Sequence, residues 1–310
     1  MDLRQLRALL TIAETGSITR AAEILHIVQP ALSRQVKLFE EEVGVALFDR
    51  ERHGMVLTAA GRQFAARVKR ALAEIDKGKE EISPKRQHVS GSVVVGFLPS
   101  AAEFLVSGLM GRVRHHYPSV QLRSSIAYID TLRRGLEVGD VDVALLLMKD
   151  DDEADRIPQE PVLVESLFLV GPHDAALDIT TPVPLSDLQG RPFILPSESQ
   201  GLRAIVEREC GTAGVTLTVS AEAGSMSLQK SLVSQGAGLA ILSGLVIADE
   251  VARGILTACP IDAPNLNRRL CLARSPAKQT TEAAAKVLDE LRATVREHVL
   301  EGRWPGAVLL

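Results

Sequence analysis

Between Ser17 and Glu42 the chain reads SITRAAEILHIVQPALSRQVKLFEEE, and this stretch constrains everything around it. Ile18, Ala21, Ala22 and Leu25, then Leu32, Val36, Phe39 and Val43, recur at the three- and four-residue steps that put side chains on one helix face. Only His26, Ile27 and Val28 separate the two helices so implied, which must therefore meet at a tight corner, the helix-turn-helix arrangement. Ser17 suits the N-cap of the first helix, and Pro30 sits in the first turn of the second, where its missing N–H costs nothing. On the face opposite the second apolar stripe stand Gln29, Ser33, Arg34 and Lys37. With Pro30, and with Ser17, Thr19 and Arg20 at the head of the first helix, they form a candidate set of contacts to base edges and phosphates.

The flanking residues extend this unit. Leu3, Leu6, Leu9, Leu10 and Ala13 predict a preceding helix that closes a three-helix core. Gly44 ends the recognition helix with a residue that accepts the left-handed cap conformation. Leu47 to Asp49 and Met55 to Leu57 predict a hairpin around His53-Gly54, a wing whose Arg50, Arg52 and His53 lie along a phosphate backbone or minor groove. From Leu57 the residues Gly61, Phe64, Val68, Ala71, Ile75, Gly78 and Ile82 follow alternating steps of four and three, a heptad seam. Such an edge packs either on the chain's own next domain or on a second copy. Ser83-Pro84 and the polar run to Ser90 mark a hinge, which favours the second copy. Phe64, Val68, Ala71, Ile75 and Ile82 are the expected dimerisation residues. Charge divides the same way: residues 1–87 hold 15 Lys and Arg against 12 Asp and Glu, a net +3, leaving −7 for the rest. The basic excess lies at the DNA-facing end.

The run AAEILHIVQPALSRQVKLFEEEVGVALFDRERHGMVLTAAG resembles the amino-terminal winged helix-turn-helix of the LysR-type transcriptional regulators, a bacterial family, and the match extends from Met1 to about Gly61. Val28 departs from the pattern, standing where the family usually has a serine ahead of Gln-Pro. Loss of that cap costs roughly 1 kcal/mol locally. The resemblance implies a dimerising linker helix, a homodimer or homotetramer, a double-stranded DNA operator, a small-molecule effector, and RNA polymerase as a further partner.

Beyond Gly91 apolar runs alternate with helical patterns, as in a mostly parallel sheet covered on both faces. The strands expected are Val93–Phe97, QLRSSI, Val141–Leu147, ESLFLVG, Pro192–Leu195, TLTVSAE, Leu239–Leu242 and RRLCLAR, with a long helix over about 280–300. Two α/β subdomains joined by crossing strands resemble the periplasmic binding proteins, the fold the LysR family carries here, and GDVDVALL and SQGAGLAIL stand at its recurring motifs. SGSVVVGFLPS, ESLFLVG and FILPSES are similar to the nitrogen assimilation control branch. The expected domains are a winged helix-turn-helix over 1–58, a linker helix and hinge over 59–90, and an effector-binding domain over 91–310. Its first subdomain spans about 91–161 and 267–300, its second about 162–266; residues 301–310 have no assigned place.

Strand carboxyl ends and helix amino ends converge in the cleft between such subdomains and leave amides unpaired there. The candidate effector residues are Pro99, Ser100, Ala101, Ile129, Met148, Ser197, Ser199, Gln200, Ser225 and Met226. None is Arg or Lys, so an anionic effector would depend on amides and hydroxyls, while Ile129 and Met148 favour a partly apolar one.

Other chemistry finds little support. The adjacent His115-His116 point about 100° apart on a helix with no third ligand in view. Lys149 to Asp155 is acidic but lacks the glycine and terminal glutamate of a calcium loop. Gly236-Ala-Gly238 precedes a strand, so it is a turn rather than a dinucleotide fingerprint. Cys210, Cys259 and Cys271 are widely spaced and read as reduced core thiols. No catalytic motif, metal site or cofactor is expected. MDLRQLRALLTIAE interleaves charges with leucines, unlike a signal peptide, and no stretch approaches the roughly 18 apolar residues of a membrane span, so a cytoplasmic protein is expected. The competing class is a solute-binding or enzymatic α/β protein whose helical front end serves only assembly; exposed Gln29, Ser33 and Arg34 on one helix discriminate against it.

Overall fold

The computed structural model describes residues 2–51, 54–82, 89–148, 156–197 and 201–310. The chain divides into two compact units, Met1–Gln87 and His88–Leu310. The first unit contains α1 (Leu3–Thr15), α2 (Ile18–Ile24), α3 (Gln29–Val43), the hairpin β1 (Phe48–Glu51) and β2 (Gly54–Leu57), and α4 (Ala59–Ile82). Asp2 and Gln5 form a reciprocal capping box at α1, and Gly16 and Gly44 close α1 and α3 in the left-handed region. As expected from Val28, α3 starts without a side-chain cap.

Leu6, Leu9 and Ile12 of α1 pack on Ala21, Ala22, Leu32, Val36 and Phe39, and the same core takes in Leu47, Phe48, Ala65 and Val68. This corrects part of the predicted dimer seam. Val68 is only 3% exposed within its own unit, and Phe64 packs there too, its ring 5.8 Å from that of Phe39. Gly61 lies so close to the loop before β1 that a Cβ would stand 2.0 Å from the Leu47 carbonyl oxygen. The heptad edge is therefore spent on the winged domain as far as Val68, because α4 must cover the open side of a three-helix core. Beyond it, Ala71 and Ile75 are exposed; the Ile82 side chain and the 83–88 hinge lie outside the described residues.

The second unit runs β3 (Ser90–Phe97), α5 (Pro99–His116), β4 (Ser119–Ile126), α6 (Ile129–Val138), β5 (Val143–Leu147), β6 (Gln159–Pro172), β7 (Val183–Pro184), β8 (Pro192–Leu195), α7 (Gly201–Thr212), β9 (Thr218–Glu222), α8 (Met226–Ser234), β10 (Ala240–Ser243), α9 (Gly244–Ala252), β11 (Leu256–Asp262), β12 (Asn267–Arg274), α10 (Glu282–Leu300) and β13 (Ala307–Leu309). Strands β4, β3 and β5 are parallel, as are β8 and β9. Apart from a short parallel pairing of β11 with β7, the mostly parallel sheet expected from the sequence stops there. The 14-residue β6 pairs antiparallel with β10, β11, β12 and β13, because one long strand passes from the first subdomain into the second and collects the strands that return to it.

Alternation along β6 divides the second subdomain's core: Leu167 and Leu169 face one cluster with Phe193, Val206 and Ile241, while Phe168 and Val170 face another with Ile194, Val233 and Leu242. The first subdomain is built around Phe97, Leu105, Leu145 and Leu291. The last ten residues, unplaced from sequence, are structural: β13 pairs with β6 at Ala307 to Leu309 and Trp304 is buried.

Burying an unpaired carboxylate where Val68 sits, Val68→Asp should destabilise the winged unit by about 3 kcal/mol or more, whereas Ile75→Asp, on the part of α4 outside that core, should change the stability of the monomeric chain by no more than about 0.5 kcal/mol, so both are compared at dilutions where the chain is monomeric. Thermal melts followed by circular dichroism check this; equal melts for the two variants would contradict the assignment of Val68 to this core.

Candidate nucleic-acid interface and ligand cavity

The corner between α2 and α3 is made by His26, whose φ of 55° turns the chain in the left-handed region. Ser17 caps α2 by accepting from the Arg20 amide at 3.3 Å. The recognition helix is then fixed from its far end, where Glu40 Oε1 accepts from the amides of Leu47 (2.7 Å) and Phe48 (3.0 Å). Gln29, Pro30, Arg34 and Lys37 are exposed and Ser33 half-buried, on the side away from Leu32, Val36 and Phe39; Thr19 and Arg20 are exposed on α2. Lys37 lies 3.9 Å from Glu41, an exposed pair of little energetic weight. The wing is held to the domain by the Met55 amide, which donates to the Gly16 carbonyl at 2.8 Å. Arg50 falls on β1, opposite Met55; its side chain, and Arg52 and His53 entirely, lie outside the described residues.

In the second unit a cavity of about 310 Å³, at the small end for ligand sites, opens between the subdomains and is lined by the first turns of five helices. Leu98, Pro99, Ser100 and Glu103 come from α5, Tyr128 and Ile129 from α6, Gly201 and Leu202 from α7, Ser225 to Ser227 and Gln229 from α8, and Ser243 and Val246 from α9. Five of the predicted positions thus meet: Pro99, Ser100, Ile129, Ser225 and Met226. Ala101 does not; it is buried in the first subdomain's core, because a helix that shows residue 100 to the cleft turns residue 101 about 100° away. Met148 lines a neighbouring groove with Arg208 and Glu209. Ser197 stands behind Gly224, where a Cβ would be 3.6 Å from its Oγ; Ser199 and Gln200 lie outside the described residues.

The lining also contains what the sequence reading missed. Arg268, 6% exposed, reaches the cavity from β12 and pairs with Glu165 of β6, its cross-strand neighbour. Glu165 is completely buried; its Oε2 accepts from Ser243 Oγ at 2.6 Å and from Trp304 Nε1 at 2.7 Å. One carboxylate therefore joins the cavity wall, the first turn of α9 and the carboxyl-terminal tail. Gln229 donates its Nε2 to the Ala223 carbonyl at 3.0 Å, and its Oε1 has no partner among the described residues. A signal for Arg268 existed: two consecutive arginines in a strand must face opposite ways, so one of Arg268 and Arg269 had to point inward. Tyr128 closes the cavity mouth, its hydroxyl donating to the Gly224 carbonyl at 3.0 Å across the subdomains. Behind it Arg203 holds the start of α7, donating to Glu222 and Glu207 at 2.6 Å each and to the Pro196 carbonyl at 3.2 Å; these partners hold its guanidinium protonated beyond its ordinary range.

Known families settle what this pairing of a helix-turn-helix with a cleft means. The model of the bacterial regulatory helix-turn-helix proteins of the lysR family matches residues 3–62, and that of the LysR substrate binding domain matches residues 86–296. The chain belongs to the LysR family. It is a DNA-binding transcriptional regulator with an effector-binding domain. The regulator is 29% identical to the HTH-type transcriptional regulator BbuR of Bordetella bronchiseptica over 99% of this chain and 94% of that one. It is 25% identical to the DNA-binding transcriptional dual regulator OxyR of Escherichia coli over 96% and 97%. Among solved structures, a full-length OxyR variant from Pseudomonas aeruginosa shares the fold with a TM-score of 0.76 at 22% identity, covering 96% of this chain and 95% of that one. CbnR in complex with its target DNA does so with a TM-score of 0.66 at 21% identity, covering 95% and 100%.

The regulator's cysteines are all buried. Burial pushes the thiols of Cys210 and Cys259 above the ordinary thiol range, and for Cys210 the charges of Glu209 and Glu207 add to it. A thiol whose folded pKa is raised contributes stability below its unfolded pKa and loses it as pH climbs through the folded value, so these two weaken the fold only in alkali. The thiol, not the nucleophilic thiolate, is the form present at neutral pH. Native protein should react with a disulfide reagent such as DTNB at least about tenfold slower than urea-unfolded protein at about pH 7.5; equal rates would show that a thiol is accessible and ionised.

Proposed function

We propose that this regulator reads its operator through α3, with Gln29, Ser33 and Arg34 at base edges and Lys37 on phosphate, while Ser17, Thr19, Arg20 and Pro30 fix the register and Arg50, Arg52 and His53 of the wing follow the backbone. The observation that carries the reading is Arg34: exposed on the recognition helix, it has no hydrogen-bond or ion-pair partner among the described residues. CbnR, which shares the fold, was solved with its target DNA, and that supports the same use here. A small molecule in the inter-subdomain cavity shifts the assembly between two arrangements, and a coupling of about 1 to 3 kcal/mol is the usual scale. The working division is a DNA-binding domain over 1–58, a linker helix and hinge over 59–90 and an effector-binding domain over 91–310, with assembly through the exposed end of α4 at Ala71 and Ile75 rather than through Phe64 and Val68. RNA polymerase is the downstream partner, binding rather than catalysis is the mode of action, and the cytoplasm is the compartment. No helix among the described residues is long and apolar enough to cross a membrane.

A thiol-based oxidant response is the second reading, prompted by relatives named hydrogen peroxide-inducible genes activators. The burial of all three cysteines, with the thiols of Cys210 and Cys259 pushed above the ordinary range, weighs against it here.

Arg34→Ala should cost about 1 to 3 kcal/mol on operator DNA and much less on scrambled DNA. Binding curves on both duplexes decide; parallel losses would reduce Arg34 to a phosphate contact. Ser100→Trp should fill the cavity and remove any effector-dependent change in the footprint while operator binding without effector persists. A normal effector response from this variant would exclude the cavity as the sensing site.

A further inference from the structure

We infer that the cavity takes the carboxylate of a small organic acid with an apolar body, and that Arg268 receives it. The inference rests on the cavity being the effector site and adds the class of ligand. Its first support is how the five helices meet it. Three of them, α5, α6 and α9, begin without a side-chain cap; α6 carries Asp130 in its first turn, but α5 and α9 carry no acid there, so the positive ends of these two dipoles and their first-turn amides meet the cavity unneutralised. In α9 the cap residue is Ser243, and its hydroxyl is turned away to donate to Glu165.

The second support is independent of the helices. Arg268 is nine-tenths buried yet lines the cavity, and only its Nη2 is engaged, on Glu165. Its Nε is buried with no partner among the described residues, and Nη1 makes no bond to them either. A buried guanidinium with donors unspent calls for an acceptor. Glu165 engages the guanidinium through Nη2 alone and leaves Nε and Nη1 without an acceptor among the described residues. Glu103, the other acid of the lining, is exposed and screened by water. The remaining walls decide the rest of the ligand: Leu98, Ile129, Leu147, Leu202, Met226 and Leu242 offer apolar surface. One arginine among them suits a monoanion with a hydrocarbon body better than a phosphate dianion, whose desolvation needs more cationic partners.

The test is calorimetric titration of the full-length protein with linear, branched and aromatic monocarboxylates, each beside its primary amide, and with inorganic phosphate and sulfate. Acids that fit should bind at least about tenfold tighter than their amides, the scale of one charge-assisted hydrogen bond. Removing Arg268 alone would strand Glu165, so the decisive variant is Arg268→Met with Glu165→Gln, checked for folding by its melt, and Arg268→Lys serves as the milder second variant. In the double variant the acid should fall to the affinity of its amide; if that variant fails to fold, Arg268→Lys should narrow the preference severalfold. Amides binding as tightly as acids, a preference that survives both variants, phosphate or sulfate outcompeting the acids, or no acid binding at all would each overturn the inference. If amides bind and Ser100→Trp abolishes that binding, the cavity is still the effector site and only its charge preference is wrong. If binding of every probe is indifferent to Ser100→Trp, the cavity reading itself falls.

Discussion

A single buried carboxylate ties together four distant segments of the second unit. Glu165 sits in the middle of β6, the strand that passes from one subdomain to the other, with Arg268 beside it on β12, Ser243 at the head of α9 and Trp304 arriving from the carboxyl terminus. Desolvating such a group costs several kcal/mol, so it persists only where ion pair and hydrogen bonds together replace water. That requirement makes four distant segments of sequence depend on one another. The tail must return because Glu165 needs the indole N–H, and Gly244 must lack a side chain because a Cβ there would stand 2.0 Å from the Pro305 carbonyl oxygen along the tail's path.

The first unit obeys a different economy. Its interior is small, and every nearby apolar face is recruited into it, including the start of α4. What stays outside is the polar face of α3, steadied by Glu40 at one end and by the His26 corner at the other. A recognition surface works best when its side chains are exposed and its backbone is fixed, and on α3 Gln29, Arg34 and Lys37 are exposed over a backbone pinned near both ends. The modest positive charge of residues 1–87 is consistent with this, since placement rather than bulk attraction supplies the discrimination.

How much of this is legible in the sequence follows from the range of each signal. The helix-turn-helix is plain because apolar spacing, caps and a short turn are all local, and Pro192–Leu195 is legible to the residue because turn formers bracket a short apolar run. The five predicted residues that line the cavity together sit one or two positions from a strand end or helix start, where local pattern fixes geometry. Ala101 is lost to the 100° step between helix neighbours, and Met148 to the exit path of β5. The heptad seam misleads for a different reason: periodicity tells which face of α4 is apolar, but not whether its partner is a second chain or the residues just upstream. Arg268 and Trp304 escape notice because their roles exist only through Glu165, 103 and 139 positions away, and no local pattern encodes a bond of that span. Neither α9 nor β11 stands out, since SGLVIADEV and LTACPID carry apolar runs too short for periodicity to separate helix from strand.

The chain has one tryptophan, and it is the residue that donates to Glu165. Its indole therefore stands one carboxylate away from the guanidinium on the cavity wall. Any occupant that draws on Arg268 changes the field and the hydrogen bond felt by that ring, with no other tryptophan to dilute the change. Under the proposed reading of the cavity, the intrinsic emission of the unlabelled protein would report its occupancy through Glu165, from an indole set one carboxylate behind the wall.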